Sequence, residues 1–333
     1  SNTQVNQYLS TKIGYSLSTL KRTTEKTAST SIYDGKINKL DIESNWAPTE
    51  VINVVFGADK KIEIGSVEDS YGAFPSTTQF TQGLYTKANV NTEILDFSTG
   101  FRQENGSTKE KSTHSISFSG HIPNTKLSIH TSFASGFRAP SLYERFNKNS
   151  ANKNLESEST INKEVSFVSN YLNVQTGITF FKSEITNKIG FNNSTFAYYN
   201  LSDKTNSIGT EYTIQSSSIG AINFIKVGYI KTDSITGGSV SLKVPEDSFT
   251  IATSLSIGNT TFGLNGKYVG KQFDFGNIEV SPYKVFNLNI NRQIADDLSG
   301  SLSINNLLNE QYEEVNGYQT LGRNINLGIK KTF

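Results

Sequence analysis

The chain has 333 residues, and its 31 Lys plus Arg against 30 Asp plus Glu leave a net charge of +1, which gives no reason to expect a nucleic-acid or acidic partner. It contains no cysteine, so disulfide frameworks, thiolate metal sites and cysteine nucleophiles are excluded. The hydrophobic fraction is only 35% and no stretch approaches the ~18 apolar residues of a spanning helix. That composition fits a soluble protein and fits equally a membrane barrel, where only alternate residues face lipid. There is no secretory signal and no Met at position 1, so the sequence reads as a processed or excised piece of a longer chain.

Helix signals are poor, because Ser, Thr, Asn, Gly and β-branched residues dominate. Period-two alternation runs through the chain instead. It predicts strands near 7–19, 36–47, 50–62, 78–89, 93–104, 111–121 and 125–136. Further strands are expected near 160–171, 173–186, 204–216, 220–232, 247–257, 260–271, 281–292, 297–307 and 322–333. Leu40, Ile42 and Trp46 alternate with Lys39, Asp41, Glu43 and Asn45. At the other end, Ile325, Leu327 and Ile329 alternate with Asn324, Asn326 and Lys330. Each run lasts roughly 9–13 residues, the length of a tilted bilayer-crossing strand, where a soluble strand has about 5–6.

Connections alternate in length as well. Short turns are expected around 47–50, 89–92, 122–124, 171–173, 216–220, 258–260 and 294–297. Between them lie longer loops near 20–35, 63–77, 104–110, 137–159, 187–203, 233–246, 272–280 and 308–321. Short turns on one side and long loops on the other are the pattern of outer-membrane barrels. The expected fold is therefore all-β: a transmembrane antiparallel β-barrel of about 16 strands, spanning 1–333 as one domain. An even strand number puts both termini on the periplasmic side and the long loops outside. A soluble sandwich is the alternative fold; no repeat of 20–50 residues points to a solenoid or propeller.

Chemistry-bearing patterns are few. His114, His121 and His130 do not pair at metal-ligand spacing, and no nucleophile elbow, phosphate-binding glycine loop or zinc signature occurs. No catalytic residue, cofactor or metal ligand is proposed. Carboxylates at Glu68–Asp69, Glu310 and Glu313–Glu314 match no defined calcium loop, so solvated charge is the reading for them ahead of calcium. Aromatics gather in and beside the long loops: Tyr71, Phe74, Tyr143, Phe146, Phe191, Phe196, Tyr198, Tyr199, Phe273, Phe275, Tyr312 and Tyr318. A girdle at the lipid–water boundary explains some of them, and the apolar wall of a solute site explains others.

At Ser132–Glu144 the chain reads S-F-A-S-G-F-R-A-P-S-L-Y-E, which resembles the strand-end motif of TonB-dependent receptors, carried here by Gly136, Arg138, Pro140 and Glu144. Asn152–Ser159 is similar to the family's N-P-x-L-x-P-E-x-S segment; it keeps Asn154, Leu155, Glu158 and Ser159 and replaces the prolines with Lys153 and Ser157. Tyr199-Asn200 followed by Gly209-Thr210-Glu211 resembles the family's Y-x-N…G-x-E pattern. Ile304–Tyr312, which contains Asn306, and Gly317–Arg323, which ends in Gly322 and Arg323, resemble its closing V-x-N-L-F…G-Y-x-x-P-G-R segment. Phe333 resembles the C-terminal aromatic of outer-membrane barrels. Among family members, Gly317–Thr320 is most similar to cobalamin receptors.

The resemblance implies location in the bacterial outer membrane, among its lipids. It also implies uptake of a large, scarce nutrient such as cobalamin, a siderophore or another metal chelate. A member carries an N-terminal plug inside a 22-stranded barrel and a short segment that engages TonB; the chain contains no plug-like region and is expected to be the C-terminal part of such a barrel. A complete 16-stranded, porin-like passive channel is the alternative. Ligand contacts are expected from loop aromatics Tyr143, Phe146, Phe196, Tyr198, Tyr199, Tyr312 and Tyr318. The motif residues are expected to stabilise the barrel ahead of touching substrate, with Arg138, Glu144 and Arg323 forming rim pairs.

Overall fold

Strands dominate because β-branched and aromatic side chains alternate with Ser, Thr and Asn along nearly every segment. The computed structural model describes residues 2–26, 29–69 and 72–332. Among these residues there are 24 strands and one short helix. In chain order the first are β1 (Asn2–Asn6), β2 (Leu9–Lys26), β3 (Ser29–Trp46), β4 (Ile52–Glu68), β5 (Phe74–Asn91) and β6 (Leu95–Gly106). Next come β7 (Lys111–His121), β8 (Leu127–Arg138), helix α1 (Leu142–Phe146), β9 (Glu158–Tyr171), β10 (Val174–Thr186), β11 (Ile189–Asn192) and β12 (Ala197–Asn200). Then follow β13 (Thr205–Ser216), β14 (Ile222–Thr236), β15 (Ser239–Val240), β16 (Asp247–Ile257), β17 (Thr260–Val269), β18 (Gln272–Asp274) and β19 (Ile278–Val280). The last are β20 (Tyr283–Ala295), β21 (Leu298–Asn305), β22 (Glu313–Val315), β23 (Tyr318–Gln319) and β24 (Asn324–Lys331).

Each predicted span meets one strand of eight residues or more. The shorter strands were not predicted. Pairs such as β11–β12, β18–β19 and β22–β23 turn expected loops into small hairpins. The expected loop near 20–35 is a second departure: β2 and β3 stay paired as far as Lys26↔Ser29. β4 and β5 likewise extend into the expected loop 63–77, pairing to Val67↔Phe74. Both faces carry Thr, Ser, Lys and Glu in these extensions, so the alternation that marks a half-buried strand is lost while the backbone ladder continues.

The chain divides into two compact units: residues 1–120, 131–163 and 183–205 form one, and 121–130, 164–182 and 206–333 the other. In the first, β2 to β7 pair in sequence as an antiparallel meander. One face carries the row Ile13↔Ile42↔Ala58↔Leu84. The other carries Lys12↔Glu43↔Gly57↔Tyr85↔Arg102. In the second, β14, β16, β17, β20, β21 and β24 pair in that order, all antiparallel. The row Leu255↔Phe262↔Ile290↔Leu302↔Leu327 lies on one face, and Ser254↔Gly263↔Asn289↔Ser303↔Asn326 on the other. The apolar rows are not buried: Leu327 is 82% exposed. Contiguous exposed apolar rows on a sheet are what a lipid-facing wall requires and what a soluble sheet covers.

Short turns lie at the predicted places. Between β9 and β10 a two-residue turn puts Leu172 at φ +51°, with its side chain 88% exposed. An L-residue there is strained by roughly 1–2 kcal/mol and gains nothing from packing. Leu172→Gly should therefore raise the thermal unfolding midpoint, by up to about 1 kcal/mol of stability once glycine's own entropy is offset. A heat-modifiability gel, read as the temperature at which the compact form disappears, checks it.

Candidate functional site

The long connection after β8 is built on a hydrogen-bonded scaffold within the first unit. Ser141 caps α1, its Oγ accepting from the Glu144 amide at 3.2 Å, and Glu144 Oε2 accepts from the Ser141 amide at 2.7 Å. Arg138 then forks between two carboxylates. Its Nη1 and Nη2 donate to Glu144 at 3.1 and 3.2 Å, and its Nε and Nη2 to Glu158, both at 2.9 Å. Glu158 also accepts from the Ile189 amide at 2.7 Å, so one guanidinium joins the end of β8, the helix and the β11 hairpin. The expected Arg138–Glu144 pair is present; Arg323 is fixed by its backbone amide, which donates to Asn309 Oδ1 at 2.9 Å.

Asparagines do the rest. Asn147, buried, accepts from the Asn149 and Ser150 amides at 2.9 and 3.3 Å. Asn152 Nδ2 donates to Tyr198 O at 3.1 Å. Asn200 accepts from the Glu156 amide at 2.8 Å and donates to the Glu156 and Asn187 carbonyls at 2.9 and 2.7 Å. Leu155, Pro140 and Ser157 are buried beneath this web, whereas Asn154 is exposed and contributes a backbone bond to Asn152. Lys109 pairs with Glu156 and holds its carboxyl below the ordinary glutamate value. Asn147 was not singled out from the sequence, where the only signal is the density of Asn between 147 and 154; Asn152 opens the segment likened to N-P-x-L-x-P-E-x-S but was not named among its retained residues.

The aromatic candidates of this unit separate into a cluster and an outlier. Tyr143 meets Tyr198 edge-on at 6.4 Å, Tyr198 meets Phe191 at 5.0 Å, and Phe191 meets Phe196 at 6.2 Å. Phe74 extends the chain from the far side of Tyr143 at 6.3 Å. Phe196 stands at the hairpin tip with φ +51° and is 66% exposed, so a strained backbone displays a bare ring. Tyr199, on the other face of the hairpin, lies over Gly190. Phe146 is not part of the cluster; it packs beneath Arg145 and Lys153, 5.0 and 5.9 Å from its centroid. Burial raises the phenol pKa of Tyr143 and of Tyr198, with nearby Tyr198 and Glu144 adding to each respectively, so both rings present neutral hydroxyls.

In the second unit Tyr312 stacks on Tyr283 at 4.3 Å and is committed to packing, while Tyr318 is 73% exposed. Asn306 carries the closing motif. It sits at φ +53°, accepts from the Glu310 amide at 2.8 Å, and donates to the Glu310 and Leu321 carbonyls at 2.9 and 3.3 Å. Asn309, at φ +55°, crowds Gly322: a Cβ there would lie 3.0 Å from Asn309 Oδ1. Gly209 is needed for a tighter approach, since a Cβ would fall 2.4 Å from both Lys231 O and the Phe181 ring. Glu211 is exposed on the same strand. Gly136 departs from expectation: a Cβ would meet nothing within 4 Å, so the strand end does not demand glycine. Phe333 and Tyr71 lie outside the described residues.

Asp274 ties three loops of this unit together. Buried, it accepts from the Phe275 and Asn316 amides at 2.7 and 3.0 Å, with Lys243 Nζ at 3.5 Å. The Phe275 amide chiefly holds its carboxyl below the usual aspartate range, with the Asn316 amide and Lys243 adding and burial opposing. A lowered folded value means the stabilisation is complete above the unfolded aspartate pKa and is lost as pH falls through the lowered value. Amide protection in 272–280 and 313–319, taken relative to the intrinsic exchange rate at each pH, should therefore fall in acid, below about pH 4. Asp274→Asn should remove that dependence. Of the acidic residues considered for calcium, Asp69 accepts from Tyr33 at 3.0 Å, Glu313 from the Gly317 amide at 2.8 Å, and Glu314 pairs with Lys267 at 2.6 Å. Among the described residues no group of three His, Asp or Glu side chains converges as a metal site.

A sheet with an exposed apolar face, a polar face and ordered long connections defines a class of membrane-wall protein. The family described as TonB dependent receptor-like, beta-barrel matches residues 2–307, and the chain belongs to that family. It is 26% identical over 238 residues to the vitamin B12 transporter BtuB of Vibrio cholerae serotype O1, covering 69% of this chain and 38% of that protein. It thus spans about two-fifths of the curated relatives it matches. Its fold is similar to the FrpB iron transporter of Neisseria meningitidis (F5-1 variant), with a TM-score of 0.81 and 15% identity over 100% of this chain and 62% of that one. It is also similar to the copper transporter OprC, with a TM-score of 0.80 and 13% identity over 99% and 63% of the two chains.

Proposed function

We propose that the chain forms part of the barrel wall and outer loops of an outer-membrane receptor for TonB-dependent uptake of a large, scarce nutrient, cobalamin or another metal chelate. The protein acts by binding and passage, without chemical conversion of the solute. Loop capture would precede release along the polar face, with the energised step belonging to the longer protein. The observation that carries the receptor reading over a passive pore is the cluster Tyr143–Tyr198–Phe191–Phe196, an aromatic patch fixed by the Arg138 and asparagine scaffold. A pore has no need of a rigid, partly bare aromatic surface in its long connections. The vitamin B12, iron and copper transporters among its relatives set the range of solutes to try.

The test is equilibrium binding of cyanocobalamin and of a ferric chelate to the full-length protein purified from outer membranes. Saturable binding to one of them is expected, weakened about tenfold by Phe196→Ser and by Tyr198→Ala. Steady ion conductance in planar bilayers with no saturable binding would replace the receptor by the pore.

A further inference from the structure

The connection after β8 is out of charge balance. Its carboxylates are all taken, Glu144 and Glu158 by Arg138 and Glu156 by Lys109. Its own cations, Arg145, Lys148 and Lys153, enter no ion pair among the described residues. Arg145 is the half-buried one. Of its guanidinium donors only Nη1 finds an acceptor, Gln79 Oε1 at a long 3.4 Å, and its Nε is buried with no partner. Burial lowers its pKa and no neighbouring acid opposes that. On the polar face behind it, Glu63 is held by Lys61 at 2.9 Å and by Gln79 at 2.5 Å, and Asp59 and Glu104 by Arg102. Past these, Glu68 stands in the opposite register and Asp69 accepts from Tyr33 at 3.0 Å. Lys153 shares a ring with Arg145: the two charges lie 5.9 and 5.0 Å from the centroid of Phe146. Like charges around one ring repel, and an anion bound beside them relieves both. Gln79 is in the polar register of β5 with Tyr85 and Gly83, and Asn152, next to Lys153, bonds Tyr198 of the aromatic patch.

We propose that Arg145 and Lys153 hold an anionic oxygen group of the solute, so that the protein takes chelates of net negative charge in preference to uncharged ones. The proposal rests on the receptor reading above and deepens it. A guanidinium with unused donors grips a carboxylate or catecholate edge through two hydrogen bonds, which its planar fork fits. The aromatic patch beside it takes the apolar body of the same molecule. Lipid phosphate carries the same chemistry, but Gln79 places Arg145 over the polar register, opposite the exposed apolar rows.

Equilibrium dialysis of the full-length protein in mild detergent would compare three solutes. They are a hexadentate ferric tris-catecholate, which is anionic, a hexadentate ferric tris-hydroxamate, which is uncharged, and cyanocobalamin. The anionic chelate should bind about tenfold tighter than the uncharged one, and the gap should narrow at high salt. Arg145→Gln should remove most of the gap by weakening the anionic chelate alone, and Lys153→Gln a smaller part of it. Wild-type protease resistance across 139–157 reports an intact loop. Should Arg145→Gln loosen the loop, Lys153→Gln decides, because Lys153 is exposed. Equal or tighter binding of the uncharged chelate, a gap unchanged in both variants, or binding of cyanocobalamin alone overturns the proposal and leaves a receptor. Absence of saturable binding for all three removes the receptor reading and the site with it.

Discussion

Replacing Arg138 by Ala should loosen the whole connection from 139 to 157 while leaving the strands paired. The guanidinium makes four hydrogen bonds to Glu144 and Glu158, and each carboxylate in turn holds a backbone amide elsewhere, of Ser141 and of Ile189. Without it two acids are left facing one another at the foot of the aromatic patch. Because the Arg138 side chain is 47% exposed, water screens part of that loss, and about 2 kcal/mol is the reasonable scale. Protease cleavage within 139–157 should rise about thirtyfold if it follows the open population. The unfolding midpoint should scarcely move. Arg138→Lys should recover only a fraction, since an ammonium cannot fork between two carboxylates. A wild-type cleavage rate in Arg138→Ala would show that the loop is held by its asparagines and its buried residues alone.

Asn306→Ala should be the most destabilising single change in the second unit. The asparagine gives three side-chain hydrogen bonds that close the loop 306–321, and it occupies a left-handed backbone position that alanine adopts poorly. Three bonds of about 1 kcal/mol and a backbone penalty of about 1 kcal/mol together suggest a loss near 4 kcal/mol. Asn306→Gly separates the contributions, because it relaxes the backbone and loses only the side-chain bonds; it should recover about 1 kcal/mol. Asn306→Asp keeps the acceptor and loses both donated bonds to Glu310 O and Leu321 O. Comparing the three by the temperature at which the unheated, compact band disappears orders them Gly above Ala, and equal losses for the two would remove the backbone argument.

The strands were legible wherever one face is apolar, because alternation is the direct imprint of a sheet with two different surroundings. It failed at 20–35 and 63–77, where polar residues interrupt the apolar alternation while the backbone ladder continues. The short hairpins were also invisible, since four residues such as 189–192 carry too little pattern to separate from loop. Motif positions fared unevenly. Arg138, Glu144 and Asn306 make side-chain hydrogen bonds that hold their loops, whereas Arg323 is held by its backbone amide. Gly136 does not need to be glycine. The side chain that reaches across to Tyr198 belongs to Asn152, while Asn154 stays exposed. Of the loop aromatics, Tyr143, Phe196 and Tyr198 converge while Phe146 and Tyr312 are spent on local packing, a distinction set by loop course and not by composition.

On the polar face of the first unit, charged and phenolic groups lie down across glycines of the next strand. Arg102 covers Gly83 and bonds Asp59 and Glu104 on either side, Tyr85 covers Gly57 to reach Glu43 at 2.9 Å, and Asp41 covers Gly14. Side chains that would otherwise stand upright are folded into the plane of the wall, with their counter-charges beside them. A solute or protein segment travelling over this surface meets a low relief with few unsatisfied charges to grip it. Bulkier residues at 14, 57 or 83 would raise those groups into its path and turn a slippery surface into a sticky one, without altering a single formal charge.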